Sequence, residues 1–195
     1  MAITRLYPVE TYGYGQIEPN HVTFTVDGRS ESQLPFVDAN GGKAENGMLL
    51  AVDVTAVRYP SAAEVTAAST VAFGIHYSTE HNYDGGLSGR KNFYLGVDKG
   101  KFYPRVGFLA AGEKFTVNGL CADITSSGAG TFTSVTAAIA ALKGCEVPAV
   151  YGGLSDIGLI KVSEVAPTYG PVLKAIKLHT MPDGNPGVKF QVIKG

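Results

Sequence analysis

The sequence predicts a β-rich protein, all-β or β-rich α+β: a compact β-barrel or sandwich-like body with one short helix and an extended N-terminal arm. Three observations lead there. The 25 glycines and 10 prolines give a chain punctuated by turns. Its apolar residues are largely β-branched or aromatic, with 10 Tyr, 9 Phe and no Trp, a composition that favours strands. Only one segment carries a full helical signature. At 195 residues, 45% apolar and 17% charged, the chain is long enough to bury a core and too weakly charged for disorder.

Residues 1–46 are the least regular stretch. Tyr7-Pro8, Tyr12-Gly13-Tyr14-Gly15 and Glu18-Pro19-Asn20 interrupt it, and only Val22-Thr23-Phe24-Thr25-Val26 alternates cleanly before Asp27-Gly28. The segment reads as an arm with one strand, lying across a neighbouring molecule or over the domain surface. Its tyrosines, Tyr7, Tyr12 and Tyr14, either dock on another surface or fold back on their own domain, since each offers a large contact area with a polar tip. The body runs from residue 47 to 195. It starts with Gly47-Met48-Leu49-Leu50-Ala51-Val52-Asp53-Val54, an almost continuous apolar run expected of a strand buried on both faces.

Tyr59-Pro60-Ser61 and the Ala- and Glu-bearing residues 62–68 suit either a short helix or a loop. Residues 70–77 and 92–97 read as strands around a glycine-rich loop at 82–89. Val97-Asp98-Lys99-Gly100-Lys101-Phe102 reads as a tight hairpin, and Pro104 assigns the strand that follows to an edge or a bulge. The helical signature lies at Ser134 to Lys143, with Thr133 as N-cap, Val135, Ile139 and Leu142 near helical spacing, and Gly144 as the C′ stop. Residues 172–179 and 188–193 alternate about the turn Met181-Pro182-Asp183-Gly184-Asn185-Pro186-Gly187, which predicts a half-exposed β-hairpin.

Charge narrows the partners. Lys and Arg number 16 against 17 Asp and Glu, a formal charge of −1, so no positive excess faces a run of phosphates and nucleic acid is not an expected partner. Met1-Ala2-Ile3-Thr4-Arg5 lacks the apolar core of a secretory signal, and no stretch approaches the ~18 apolar residues of a membrane span, so synthesis in a cytoplasm and no membrane partner are expected.

Residues with chemical potential fall in patterns that do not build a site. His76, Glu80, His81 and Asp84 are metal-ligand types in one window, but a strand through Tyr77 and a loop beyond it give no ligand spacing, and no metal or other cofactor is expected. His21 and His179 are isolated. Cys121 and Cys145 lack C-x-x-C spacing and read as buried thiols, with a disulfide between them left open. Ser155, in Gly153-Leu154-Ser155-Asp156-Ile157-Gly158, has the wrong spacing for a nucleophile elbow. Gly85-Gly86-Leu87-Ser88-Gly89-Arg90-Lys91 lacks the ending of a phosphate loop. Phe93-Tyr94 and Phe102-Tyr103, near Arg90, Lys91, Lys101 and Arg105, suggest base stacking, but half of each pair must face the core. With no catalytic group in a recognisable pattern, an enzyme is not expected.

The order Gly47-Met48-Leu49-Leu50-Ala51-Val52-Asp53, Ile75-His76-Tyr77-Ser78-Thr79-Glu80, then residues 102–118 from Phe102-Tyr103-Pro104-Arg105 to Thr116-Val117-Asn118, and the ending Gly187-Val188-Lys189-Phe190 resembles small structural proteins of tailed-bacteriophage particles. The resemblance covers roughly residues 47–195 and is nearest to the capsid decoration, or cement, proteins. It rests on segment order and turn placement. It implies a non-enzymatic protein on the exterior of the virion capsid, partnered by the major capsid protein and by itself, with a homotrimer as one form. A tail-tube, neck or baseplate role is the alternative within that class. A carbohydrate- or host-surface-binding module, suggested by Tyr83, Asp84 and the glycine loop, is the alternative outside it. The candidate interface residues are Tyr7, Tyr12, Tyr14, Tyr83, Arg90 and Arg105.

Overall fold

The β-branched and aromatic runs do form strands, and they assemble into curled sheets that make a half-barrel. The computed structural model describes residues 2–12, 15–24, 28–38, 42–78, 94–96, 103–125, 131–144, 149–181 and 184–195. In chain order the elements are β1 (Ala2–Arg5), α1 (Val9–Tyr12), β2 (Ile17–His21), β3 (Ser30–Glu31), β4 (Lys43–Glu45), β5 (Leu49–Val52), β6 (Val57–Arg58), α2 (Ala62–Thr66), β7 (Ala72–His76), β8 (Tyr94–Gly96) and β9 (Val106–Gly107). They continue with β10 (Lys114–Val117), β11 (Leu120–Ile124), α3 (Val135–Lys143), β12 (Tyr151–Gly153), β13 (Ile160–Ser163), β14 (Val172–Thr180) and β15 (Pro186–Lys194). An eight-stranded sheet has the order β1-β11-β13-β12-β14-β15-β10-β2; a five-stranded sheet has the order β3-β9-β7-β5-β6; β4 pairs with β8.

The run at Gly47 behaves as its composition requires. Leu49 and Ile75 face one apolar cluster with Phe115, Phe190 and Leu173 from the large sheet, while Leu50 and Val106 face a second with Phe36, Met48 and Val57. Apolar partners on both faces explain why β5 reads as continuous rather than alternating. The C-terminal hairpin is also as expected: β14 and β15 pair from Leu173↔Val192 to Thr180↔Pro186, and the Met181 amide closes the turn on the Asn185 carbonyl at 2.8 Å.

The N-terminal segment differs from its expectation. It is not an arm, and the boundary at residue 46 does not separate it from the body. β1 pairs with β11 from Ala2↔Ile124 to Arg5↔Cys121, β2 with β10, and β3 with β9. Leu6, Tyr7, Phe24, Phe36 and Ala44 are buried. The physical reason is that irregular edge strands of two to five residues carry no periodicity of their own, and their ladder partners lie far away in sequence. In the alternating stretch at Val22, residues 22–24 are not strand, and Thr25 and Val26 lie outside the described residues. The strand is Ile17–His21, an outermost strand whose register shifts between Lys114 and Thr116, which accommodates Pro19. Phe24 turns inward instead, with its ring centroid 4.7 Å from that of Tyr77.

Polar latches hold the woven segment in place. Arg5 makes a two-pronged pair with Glu45 at 2.9 and 2.8 Å, and the Gly15 amide donates to the same carboxylate. Glu113, itself buried, accepts from the Thr23 amide at 2.8 Å, the Thr23 hydroxyl at 2.6 Å, the Ala110 amide at 2.8 Å and Arg29 at 2.8 Å. Burial pushes the Glu113 carboxyl up, but these hydrogen bonds outweigh it and hold the group below the usual carboxylate range.

Two helical details depart from the sequence reading. The N-cap of α3 is Ser134, whose Oγ accepts from the Ala137 amide at 3.1 Å, rather than Thr133; Gly144 is the C-cap with φ −100°, so no left-handed conformation is needed there. Ala138 and Leu142 bury the helix against the sheet. Residues 62–66 resolve as a helix because Ser61 and Glu64 form a reciprocal capping box, with Glu64 also gripping Arg58 at 2.8 Å. The Arg58 pairing holds the Glu64 carboxyl down at about 2. Pro104 precedes β9 and belongs to no strand. The glycine loop at 82–89 and the Asp98-Lys99-Gly100 turn lie outside the described residues.

Candidate functional site

Of the expected interface residues, Tyr7 is a core residue at 3% exposure, packed among Leu6, Phe24 and their neighbours, so it cannot serve as a docking tyrosine. The reason is its position immediately after β1, where pairing with β11 carries it over the core. Tyr12 ends α1. Tyr14, Tyr83 and Arg90 lie outside the described residues. Arg105 is exposed, with its guanidinium 5.8 Å from the Tyr77 ring centroid and its amide donating to Ser78 Oγ at 2.9 Å. The structure therefore brings no two of these residues together on one described surface.

The groups with chemical potential have structural occupations. His76 is buried in β7, its Nε2 lies 2.8 Å from Ser78 Oγ, and burial lowers its imidazole to about 4. Glu80, His81 and Asp84 lie outside the described residues, and among the described residues no three His, Cys, Asp or Glu side chains converge as a metal site. Ser155 is fully buried and its hydroxyl donates to the Leu159 carbonyl at 2.5 Å. Cys121 is a free thiol pushed up to about 12 by burial, and its Sγ lies 3.7 Å from the same carbonyl. Both side chains thus pin the turn between β12 and β13. His21 sits on β2, and His179 lies 3.7 Å from Glu18.

The feature that sequence reasoning missed is a half-open groove of about 390 Å³ over the β11–β13 pair, walled by Ser163 and residues 165–169. Its floor follows from register. β11 and β13 run parallel with Leu120↔Ile160 and Ala122↔Val162, so those apolar side chains point inward together, and Asp123 and Lys161 point outward together. Their charged ends lie 3.5 Å apart at side-chain exposures of 15% and 27%.

The wall is held by close packing. A side chain at Gly153 would meet Pro167 at 2.5 Å, so only glycine lets the loop settle on the sheet. Gly170, at φ +70°, turns the chain down over Leu154. Ser163 Oγ accepts from the Val165 amide at 3.0 Å. This fixed loop presents Val165 at 54% and Tyr169 at 37% exposure. The only sequence signal was an aromatic residue inside the turn-forming Ala166-Pro167-Thr168-Tyr169-Gly170-Pro171, together with the outward alternation of Lys161 and Ser163.

A second groove, of about 360 Å³, is lined among others by Phe108, Gly170, Pro171 and Lys194. Comparison of the chain with protein-family models, with curated proteins and with solved structures gives no match in any of the three.

Proposed function

We propose that this chain is a non-enzymatic capsid decoration protein of a tailed-bacteriophage particle, binding the outer surface of the assembled head and tying neighbouring subunits of the major capsid protein together. The resemblance of residues 47–195 to such proteins supports the reading. The structural observation that carries it is the weave of the N-terminal segment. β1 and β2 form the two outermost strands of the eight-stranded sheet, the Arg5–Glu45 pair ties the start of the segment to its end, and the Arg29–Glu113 pair locks it against a residue remote in sequence. A fold locked through non-local contacts opens slowly, which suits a protein that must persist on a particle outside a cell. Rigid turns also present apolar contact points: Val54, 89% exposed, sits on a turn closed by the Asp53 amide on the Ala56 carbonyl at 2.9 Å. Such a side chain loses little freedom when a partner covers it.

The test is to mix the purified chain with heads assembled without it and with separated tails, then sediment both. Saturable retention on heads at a fixed ratio to capsid subunits, with heads that then withstand higher temperature, is the expected result. Retention on tails alone moves the chain to a tail-tube, neck or baseplate role, and retention on neither refutes a virion role.

A further inference from the structure

We propose that the groove over Asp123 and Lys161 binds a neutral saccharide unit. The site is pre-formed: its wall rests on Gly153 and turns over Leu154 at Gly170, so Val165 and Tyr169 are held in place before any ligand arrives. Its size, about 390 Å³, falls within the ~300–1,000 Å³ range of small-molecule sites, and its half-open form leaves room for a chain to extend beyond the bound unit.

The floor selects the chemistry. At 3.5 Å the Asp123–Lys161 pair is longer than the ~2.7–2.9 Å of a tight charge-assisted hydrogen bond, so both groups retain capacity toward the groove. The carboxylate accepts only and the ammonium donates only. A ligand with adjacent hydroxyls meets both demands at once, donating a hydrogen bond to Asp123 Oδ and accepting one from Lys161 Nζ. Ser163, two residues beyond Lys161 and on the same face of β13, adds a hydroxyl to the same lining. The two opposite charges cancel, which removes the attraction that a phosphate or a polyamine would need. Tyr169 supplies an aromatic surface for the C–H face of a sugar ring, and Val165 extends the apolar wall.

Saccharide binding is separate from capsid attachment, and each fails in its own assay. The full chain is screened against immobilised neutral and acidic glycans, and the hits, together with maltotriose, tri-N-acetylchitotriose and tripolyphosphate, are titrated calorimetrically. Saturable binding of at least one neutral saccharide is expected, in the millimolar range or tighter. Tyr169→Ala and Asp123→Asn should each weaken it by about tenfold or more, while Tyr169→Phe retains it. Melting temperature identifies any variant that fails to fold; Tyr169→Ala alters an exposed loop and decides the matter if Asp123→Asn does not fold. Three results overturn the proposal: no neutral saccharide saturating below about 20 mM, binding of tripolyphosphate or acidic glycans only, or neutral-saccharide binding unchanged in Tyr169→Ala. Loss of head retention in Tyr169→Ala with no saccharide bound to the full chain makes the groove a protein contact and likewise overturns it.

Discussion

Removing residues 1–28 takes away β1 and β2, the outermost strands of the eight-stranded sheet, together with three large side chains that are almost wholly out of water: Leu6 at 1%, Tyr7 at 3% and Phe24 at 1% exposure. At about 1.5–3 kcal/mol for each buried side chain of this size, the transfer loss alone is about 5–9 kcal/mol. Glu45 also loses Arg5 and the Gly15 amide, and Glu113 loses Thr23, leaving two carboxylates short of partners. Against a typical total stability of about 5–15 kcal/mol, the shortened chain should not fold. Near-ultraviolet circular dichroism and thermal melting of the free protein check this. The expected outcome is loss of the tertiary signal and of any cooperative transition. A cooperative melt within about 5 °C of the full chain would show that the woven segment is dispensable and would refute the reasoning.

Glu113→Ala should lower stability by about 2–4 kcal/mol in urea unfolding, toward the low end because Arg29 is 35% exposed and recovers some solvation. Acid should act through two groups in succession. With the His76 imidazole lowered from 6.5 to about 4 by burial, the unfolded chain binds the extra proton between those values, so stability falls as pH drops through that window, by at most about 3 kcal/mol. Glu113, held below the usual carboxylate range, contributes stability that is present above its unfolded value and is lost as pH falls through its folded one. A His76→Gln variant whose stability shows the same slope between pH 6.5 and 4 would contradict the first assignment. In a Cys145→Ser background, Cys121 should react with a thiol reagent near pH 8 only as fast as the protein unfolds, because burial pushes its thiol up to about 12; rapid labelling of the native protein would contradict its burial.

What was legible in the sequence follows from distance along the chain. The β5 run could be read because both of its faces are covered, so hydrophobicity is continuous. The C-terminal hairpin could be read because its two strands adjoin one turn. The helix at 135–143 announced itself through cap, spacing and stop, yet both Thr133 and Ser134 can cap, and only the structure shows that Ser134 Oγ reaches Ala137. The N-terminal weave was not legible. Arg5 meets Cys121 and Ile17 meets Val117 across about a hundred residues, and no local pattern records such a pairing. The groove was hidden for the same reason, since Asp123, Lys161 and Tyr169 come from two strands and a loop that join only when β11 and β13 lie parallel. Cysteine burial was foreseen for Cys121, whereas the docking role expected of Tyr7 failed because its strand pairing was invisible.

The most direct measurement of the functional account is cryo-electron microscopy of particles assembled with and without this chain, with its copies counted against the major capsid protein. The account predicts added density on the outer face of the head, at positions bridging adjacent capsid subunits and in a copy number fixed by the symmetry of the shell. Density confined to the neck, tail tube or baseplate, or a head indistinguishable with and without the chain, would contradict it.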